Sequence, residues 1–320
     1  MYNRIIIAMA SAFLLCLGIG PLAITHLRRL KVGQRIRAQG PQRHQVKAGT
    51  PTMGGVAIIF AFTLAALLLA PKNSFIWLAL GFTLGYGFLG FWDDYLKLVH
   101  KGSLGLKARE KLLVQFALAA VLGFWIMNRP DLGTRVLLPF TGTELDLGWF
   151  YLPFVLLLVV FFTNAVNLTD GLDGLAAGTS TIAFLAYIPI TLMQGRPELA
   201  VFAGAVAGAC LAFLWFNSYP AQVFMGDTGS LALGGALASI AFLTKTELWL
   251  VIIGGVFILE GLSVIIQVFF FRLTGGRIFR MSPIHHHFEL VGWPETQVVI
   301  RFWILGAILA LLGIGIWFFS

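Results

Sequence analysis

Two adjacent carboxylates, Asp93 and Asp94, lie where a long apolar stretch ends, in the segment GFLGFWDDYLK of residues 87–97. Neighbouring residues of an α-helix point about 100° apart, so both side chains can border one cleft without sharing a direction. Paired carboxylates suit a hard cation such as Mg²⁺, or one metal ligand beside one general base. The alternative is two solvated charges at a helix end, next to Lys97.

A second polar pattern is NAVNLTDGLDGLA, in which Asn164, Asn167, Asp170 and Asp173 recur at every third position. This spacing predicts a stripe that drifts along one helix face, and Gly171 is expected to open the backbone before the next helix. Asn, Asp and Gly are also ordinary turn residues. A turn alone gives no reason for Asn164 inside an apolar run, so the pattern favours a functional site.

A third pattern, FNSYPAQVFMGDTGS at residues 216–230, places a glycine on each side of the Asp227–Thr228 pair. Glycines allow the backbone to approach a ligand closely. Thr228 or Ser230 can cap the next helix, whose positive end attracts phosphate. The GK[ST] of a P-loop is missing. Helix capping alone explains the segment equally well.

A fourth pattern, MSPIHHHFELVGWPE, contains three consecutive histidines, His285, His286 and His287, downstream of several arginines. This combination indicates phosphate contacts or proton handling. The His-x-x-x-His spacing of zinc proteases is missing, so a zinc site is not expected.

Three further residues stand out. Lys47 precedes TPTMGG, which is either a ligand-binding segment or a flexible loop. In the second case its basic neighbours set the membrane orientation and are attracted to anionic lipid. Glu260 lies deep in an apolar run, two turns before Gln267. An ionisable residue inside a membrane is by default expected to have a function. A neutral, hydrogen-bonded glutamate with a structural role is an equally good interpretation.

The elements that position these residues are membrane spans. Of 320 residues, 58% are hydrophobic and 11% are charged, whereas soluble domains have about 25% charged residues. Both cysteines lie in apolar runs, so neither a disulfide nor a cysteine metal site is expected. Apolar runs of nearly membrane-spanning length recur. We predict an all-α polytopic membrane protein with about ten spans, at 5–25, 53–70, 76–92, 112–127, 152–167, 175–193, 199–216, 230–243, 248–271 and 299–318.

The distribution of Lys and Arg predicts the orientation. Sixteen of the 22 basic residues, all six histidines and the five aspartates of the patterns above fall on one set of alternating loops. That set is predicted to be cytoplasmic, with both termini periplasmic or extracellular. The outward segment 128–151 predicts a small hairpin. We expect a single domain, 1–320, whose cleft is formed by loops 26–52, 93–111, 164–175, 217–230 and 272–298.

Acidic residues, amides, a lysine and histidines on one membrane face indicate a Mg²⁺-dependent site for an anionic, diphosphate-containing substrate, with a lipid co-substrate. A nucleic acid is not an expected partner. A secondary transporter would place charges near the middle of the membrane and show repeat symmetry, but among these acids only Glu260 is near mid-span. A structural scaffold gives no reason to gather five aspartates on one face.

Five segments carry a close resemblance to one family. KAGTPTMGG, GFWDDYLK, NAVNLTDGLDGLA, FNSYPAQVFMGDTGS and RIFRMSPIHHHFELVGWPE resemble, in order and over nearly the whole chain, those of the phospho-N-acetylmuramoyl-pentapeptide-transferases, the bacterial translocase I family. The acidic segments are shared with the wider superfamily of polyprenyl-phosphate N-acetylhexosamine-1-phosphate transferases. PIHHHFE and GTPTMGG point to the muramoyl branch.

The resemblance implies a dimeric ten-helix protein of the bacterial inner membrane with a cytoplasmic active site. The implied reaction moves phospho-MurNAc-pentapeptide from UDP-MurNAc-pentapeptide to undecaprenyl phosphate, giving UMP and lipid I for peptidoglycan. A sister enzyme that transfers GlcNAc-1-phosphate to the same lipid is the nearest alternative.

The resemblance also implies roles for residues. Asp227 would be the Mg²⁺ ligand, and Asp93, assisted by Asp94, would deprotonate or orient the lipid phosphate. His285 and His286 would contact the diphosphate or sugar. Direct attack by the lipid phosphate and a two-step route through an aspartyl-phosphate both remain open. The implied substrate-binding residues are Lys47, Thr52, Asn167, Asp170, Gly171, Leu172, Asp173, Asn217, Phe224, which would stack on uracil, Gln267 and His287.

Overall fold

The computed structural model describes residues 1–29, 47, 49–100 and 105–319. Most of the predicted loop 26–52, and residues 101–104 of loop 93–111, lie outside these ranges. The described elements are α1 Tyr2–Arg29, α2 Gly55–Leu69, α3 Ser74–Val99, α4 Ala108–Met127, β1 Arg135–Leu137, β2 Glu144–Asp146, α5 Tyr151–Thr169, α6 Leu175–Met193, α7 Pro197–Asn217, α8 Gly226–Leu243, α9 Glu247–Ile253, α10 Gly255–Thr274, α11 Ile284–Val291 and α12 Glu295–Phe319.

The predicted helical membrane architecture is confirmed. Within the described ranges, nine helices are long and apolar enough to cross a membrane, and α2, with 15 residues, is a shorter apolar helix in the place of the second predicted span. The eighth span starts at Gly226 rather than 230. The ninth is divided at Gly254, where a side chain would meet the ring of Phe162.

The most buried helices are α7 and α8, around which the other helices pack. Helices in lipid associate through close packing, so small residues at their contacts bring the backbones together. α7 is rich in Ala and Gly, and a Cβ on its Gly208 would lie 2.1 Å from the carbonyl oxygen of Met9 in α1. α3 runs along α8 in the same close manner.

One pole of the bundle carries the hairpin predicted for segment 128–151, in which β1 and β2 are antiparallel with Val136 opposite Leu145. A cavity of about 710 Å³ lies there, lined by the hairpin and by Trp317 near the chain end. Ile5 packs on Gly204 near the start of α7, so both chain ends lie toward this pole. Its placement outside the cell stays a prediction.

The segments that contain the predicted site residues lie at the opposite pole. Residues 51–55 pair with 224–225 through hydrogen bonds from Phe224 N to Pro51 O (2.8 Å) and from Gly54 N to Phe224 O (2.9 Å). The end of α3 and the start of α8 meet this pair of segments. At the same pole the starts of α11 and α12 contact the α5–α6 connection, His285 facing Gly171 and Glu295 accepting from Asp173 N.

Candidate active site

Three aspartates, Asp93, Asp94 and Asp227, form the acidic triad of this pole. One carboxylate oxygen from each lies within 4.8 Å of the others. The approach depends on Gly90, because a Cβ there would lie 2.1 Å from the carbonyl oxygen of Asp227. Gly226 supports the same geometry, with a φ of +76° that favours glycine. The cleft predicted beside the aspartate pair therefore exists, with Asp227 as its third acid.

Two lysines neutralise part of the triad's charge. The Nζ of Lys97 lies 2.6 Å from Asp93 Oδ2 and 3.1 Å from Asp227 Oδ2. The Nζ of Lys111, on α4, lies 2.7 Å from the same oxygen of Asp227. The two ammonium groups thus offset part of the carboxylate charge, in a place where burial strengthens each interaction.

The two adjacent aspartates have different surroundings. Asp94 Oδ2 accepts hydrogen bonds from the backbone N (2.9 Å) and Oγ1 (2.8 Å) of Thr228, so this carboxylate caps the start of α8. Asp93 Oδ1 accepts from Leu106 N at 2.8 Å and fixes the chain that leads into α4. Both aspartates are buried, whereas Asp227 keeps 18% of its side chain exposed.

Asn167 and Asp170 lie beside the triad. Asn167 Nδ2 donates to Asp227 Oδ1 at 2.9 Å and to Ser230 Oγ at 2.7 Å, which orients the Asp227 carboxylate. Asp170 lies on the connection that follows α5, close to Gly226. Loss of hydration on burial, and then repulsion from Asp227, raise the pKa of Asp170 well above its usual range.

The α5–α6 connection is held by a second charged cluster. Asp173 Oδ1 accepts from Lys47 Nζ at 2.7 Å, and Asp173 Oδ2 accepts from Ala221 N at 2.9 Å. Glu295 Oε1, at the start of α12, accepts from Lys47 Nζ at 2.5 Å and from Asp173 N at 2.8 Å. Four segments that are distant in sequence meet at these contacts.

The remaining predicted substrate-binding residues differ in how exposed they are. Phe224 and Thr52 are partly exposed at the site, so the ring of Phe224 is open to stacking. Asn217 is buried, accepts from Gly174 N at 3.0 Å and donates to Val223 O at 2.9 Å, so it joins two loops. Leu172 is buried in a small apolar cluster with α12. Their roles toward substrate stay predictions.

Each of the three histidines has its own environment. His285 is fully buried, with Nδ1 3.0 Å from Glu260 Oε2. Its Nε2 has no hydrogen-bond partner among the described residues and faces Gly171, where a Cβ would lie only 2.4 Å away. His286 Nδ1 lies 2.7 Å from Glu289 Oε2, and His287 Nδ1 accepts from Arg280 N at 3.1 Å. Glu260 is thus the hydrogen-bonded partner of His285.

Two predicted residues have internal partners. Gln267 Oε1 accepts from Phe279 N at 2.9 Å and its Nε2 donates to Phe279 O at 3.1 Å, which fixes the chain before α11. Asn164 exchanges hydrogen bonds with Gln115 of α4, one of them 2.8 Å long. The expected helical stripe is wrong beyond Thr169, because α5 ends there and Asp170 and Asp173 lie on the connection.

Sequence reasoning missed Lys97, Lys111 and Glu295 as parts of the site. Lys97 stands four residues after Asp93, a spacing that brings side chains together on one helix face. Lys111 and Glu295 meet partners more than 100 residues away in sequence. In the sequence, Lys111 is one of the basic residues that set the orientation, and Glu295 is the last residue of MSPIHHHFELVGWPE.

The donor set of the triad fits a divalent cation. Hard cations such as Mg²⁺ prefer carboxylate oxygens, and sites for them in phosphoryl-transfer enzymes use one or two carboxylates together with substrate phosphates. Asp227 is the most exposed of the three aspartates, so its carboxylate is the most accessible to such an ion.

Comparisons with known proteins agree with this arrangement. Residues 75–245 match the family model described as glycosyl transferase family 4, and residues 47–59 match phospho-N-acetylmuramoyl-pentapeptide-transferase signature 1. The chain is 53% identical to the phospho-N-acetylmuramoyl-pentapeptide-transferase of Geobacillus kaustophilus over 98% of each chain. It is 52% identical to that of Desulforudis audaxviator over 97% of each, and 54% identical to that of Pelotomaculum thermopropionicum over 92% of this chain.

The helical bundle, the acidic triad and the match over residues 75–245 define a polytopic membrane transferase of glycosyl transferase family 4. The signature at residues 47–59 includes Lys47 and Thr52 of the site. With full-length identities above 50%, the chain belongs to the phospho-N-acetylmuramoyl-pentapeptide-transferase family.

Proposed function

We propose that this protein transfers phospho-MurNAc-pentapeptide from UDP-MurNAc-pentapeptide to undecaprenyl phosphate and releases UMP and lipid I. The observation that carries the proposal is the acidic triad with its two lysines, together with the family signature at residues 47–59. The relatives that share more than half of the sequence are named for this activity rather than for GlcNAc-1-phosphate transfer.

The chemical step exchanges one phosphorus–oxygen bond for another. An oxygen of the lipid phosphate attacks the β-phosphorus of the donor, and the bond from that phosphorus to the bridging oxygen breaks. UMP leaves with the bridging oxygen, and the diphosphate linkage remains on the lipid. Each carboxylate of the triad already accepts several contacts from Lys97, Lys111, Thr228, Leu106 or Asn167. This favours direct attack over a covalent aspartyl-phosphate.

The residues take different parts in this step. Asp93 deprotonates or orients the lipid phosphate, in keeping with its place near the end of α3. Asp94 positions Asp227 by capping α8. Lys97 and Lys111 stabilise the charge that develops on the departing phosphate, as positioned cations do in phosphoryl transfer. His286 and His287, on α11, would contact the donor's sugar or diphosphate, and the buried His285 packs against Gly171.

Asp227, with Asp93 beside it, would hold Mg²⁺, which neutralises charge on diphosphate oxygens when it is bound. On the nucleoside side, Phe224 stacks on uracil, and Lys47 and Asp173 bind its polar edge. The basic loops support a cytoplasmic active site in the bacterial inner membrane with both termini outside. A homodimer is proposed from the family resemblance alone.

The test is a reconstituted reaction with the purified protein in detergent. UMP release and lipid I formation are measured with UDP-MurNAc-pentapeptide, undecaprenyl phosphate and Mg²⁺, and again after EDTA treatment and Mg²⁺ restoration. We expect turnover that EDTA abolishes and Mg²⁺ restores.

A parallel reaction supplies UDP-GlcNAc in place of the muramoyl donor. Turnover with UDP-GlcNAc alone would assign the protein to the sister activity. Turnover with the muramoyl donor that persists in EDTA would retain the reaction and refute the metal site.

A further inference from the structure

Glu295 is a partly buried residue that joins two parts of the proposed nucleoside pocket. A single carboxylate oxygen accepts from Lys47 Nζ at 2.5 Å and from the backbone N of Asp173 at 2.8 Å. The side chain is only 11% exposed. Lys47 precedes α2, Asp173 lies between α5 and α6, and Glu295 starts α12, so one side chain joins three segments.

The contacts of Glu295 are of a strong kind. Hydrogen bonds that involve a charged donor and acceptor are roughly twice as strong as neutral ones. The start of α12 also favours a negative charge, because the amides of the first helical turn carry partial positive charge. Lys47 already pairs with Asp173 Oδ1 at 2.7 Å. Glu295 adds a second acceptor, which fixes the direction of the ammonium group as well as its distance.

Loss of Glu295 removes an acceptor from two groups, the backbone N of Asp173 and the ammonium of Lys47. The Asp173 amide would then have no acceptor, and among the described residues Lys47 would keep its ion pair with Asp173 Oδ1 and its place 5.8 Å from the centre of the Tyr219 ring. Both groups border the segment 170–173, and Asp173 also holds Ala221 N at 2.9 Å. A change at Glu295 therefore acts on the pocket through Lys47 and Asp173, without the carboxylate touching the triad.

We propose that Glu295 is a positioning residue for nucleotide affinity, which holds Lys47 and the Asp173 segment in the arrangement that binds a uridine nucleotide. The proposal rests on the function proposed above and extends it to a residue outside the predicted site. Glu295 then controls binding of the nucleotide donor and has little influence on the chemical step or on the lipid acceptor.

The experiment compares Glu295→Ala, Glu295→Gln and Glu295→Asp with the parent in detergent. We measure KM for both substrates, kcat, and binding of UMP alone by calorimetry. For Glu295→Ala we expect KM for the nucleotide donor and the Kd for UMP to rise about tenfold. We expect kcat and KM for undecaprenyl phosphate to stay within about twofold.

The conservative variants separate positioning from bulk stability. Gln keeps an acceptor at the same reach, so Glu295→Gln should recover most of the UMP affinity. Asp keeps the charge but withdraws it by about 1.5 Å, so Glu295→Asp should resemble Glu295→Ala. Glu144→Gln, at the exposed hairpin of the other pole, is the matched control and should leave every parameter unchanged.

Two results overturn the proposal. One is an unchanged Kd for UMP in a folded Glu295→Ala variant. The other is an equal loss of donor affinity, acceptor affinity and kcat in all three variants, which indicates a general structural role. UMP binding tests the role of Glu295 independently of turnover. If the parent binds UMP but makes no lipid I, the proposed reaction is refuted, while the UMP affinities of the Glu295 variants still test the positioning role.

Discussion

Gly90 sets the distance between the helices that carry the acidic triad, and Gly90→Ala is the sharpest test of that geometry. The added Cβ would lie 2.1 Å from Asp227 O and 2.7 Å from Thr228 N, both backbone atoms. Real Cβ contacts are essentially never shorter than 3.0 Å. α3 or α8 must therefore shift by about 1 Å, which separates Asp93 and Asp94 from Asp227.

A displacement of about 1 Å in a catalytic constellation can cost about 100-fold in rate. We expect that loss in kcat for Gly90→Ala, measured as UMP release at saturating donor and acceptor. Helix propensity works in the opposite direction, because Ala is about 1 kcal/mol better than Gly in a helix interior. The expected loss thus comes from the contact and not from a weaker helix.

Gly81→Ala is the matched control, since Gly81 lies in the same helix and an added Cβ meets nothing within 4 Å. We expect its activity to equal that of the parent. If Gly90→Ala retained more than half of the parent's kcat, the close approach of α3 to α8 would not position the triad, and the reasoning would be refuted.

Three further predictions concern single contacts. Lys111→Gln should lower kcat about 100-fold by removing a cation from Asp227. Arg109→Gln, at an exposed position on the same helical turn, is the control and should keep the parent's kcat. Equal kcat values for Lys111→Gln and the parent would exclude the role of Lys111. The pKa of the Asp170 carboxyl is raised in the folded protein. From about pH 4 up to that raised pKa, the folded protein therefore keeps a proton on Asp170 that the unfolded chain has lost. Stability attributable to Asp170 is therefore lost as pH rises through this window, and Asp170→Asn should raise the apparent Tm more at pH 8 than at pH 4.5; a gain that does not depend on pH would contradict the assignment. Gly171→Ala should lower the apparent Tm because its Cβ meets the His285 ring, and the loss should be less than additive with His285→Ala; strict additivity would show that the two residues do not couple.

The membrane architecture could be predicted because hydropathy and span length act locally along the chain. The positions of α1 and α3 to α7 follow from this pattern alone. The break at Gly254 could not be predicted, because it depends on the ring of Phe162 from another helix. The expected role of Asn164 was also decided by packing, since Gln115 of α4 supplies its partner.

The acids of the site could be predicted, but their separate surroundings could not. Asp93 and Asp94 are neighbours in sequence, yet one meets Leu106 and the other caps α8 at Thr228. No local sequence pattern predicts the contact between Asp94 and Thr228, which are 134 residues apart. Lys111 and Glu295 were missed for the same reason, because a charged side chain near a span end looks the same whether it faces water or a carboxylate.

The most direct test of the acidic triad as the transferase site is a Mg²⁺ titration of UMP release for the parent, Asp227→Asn and Asp131→Asn. Asp131 lies at the opposite pole and pairs with Arg196 at 3.2 Å, so it is a matched acidic control. We expect saturable Mg²⁺ dependence for the parent and Asp131→Asn, and at least a 100-fold loss for Asp227→Asn. Asp227→Asn turning over at the parent rate, with the same Mg²⁺ dependence, would contradict the assignment of catalysis to the triad.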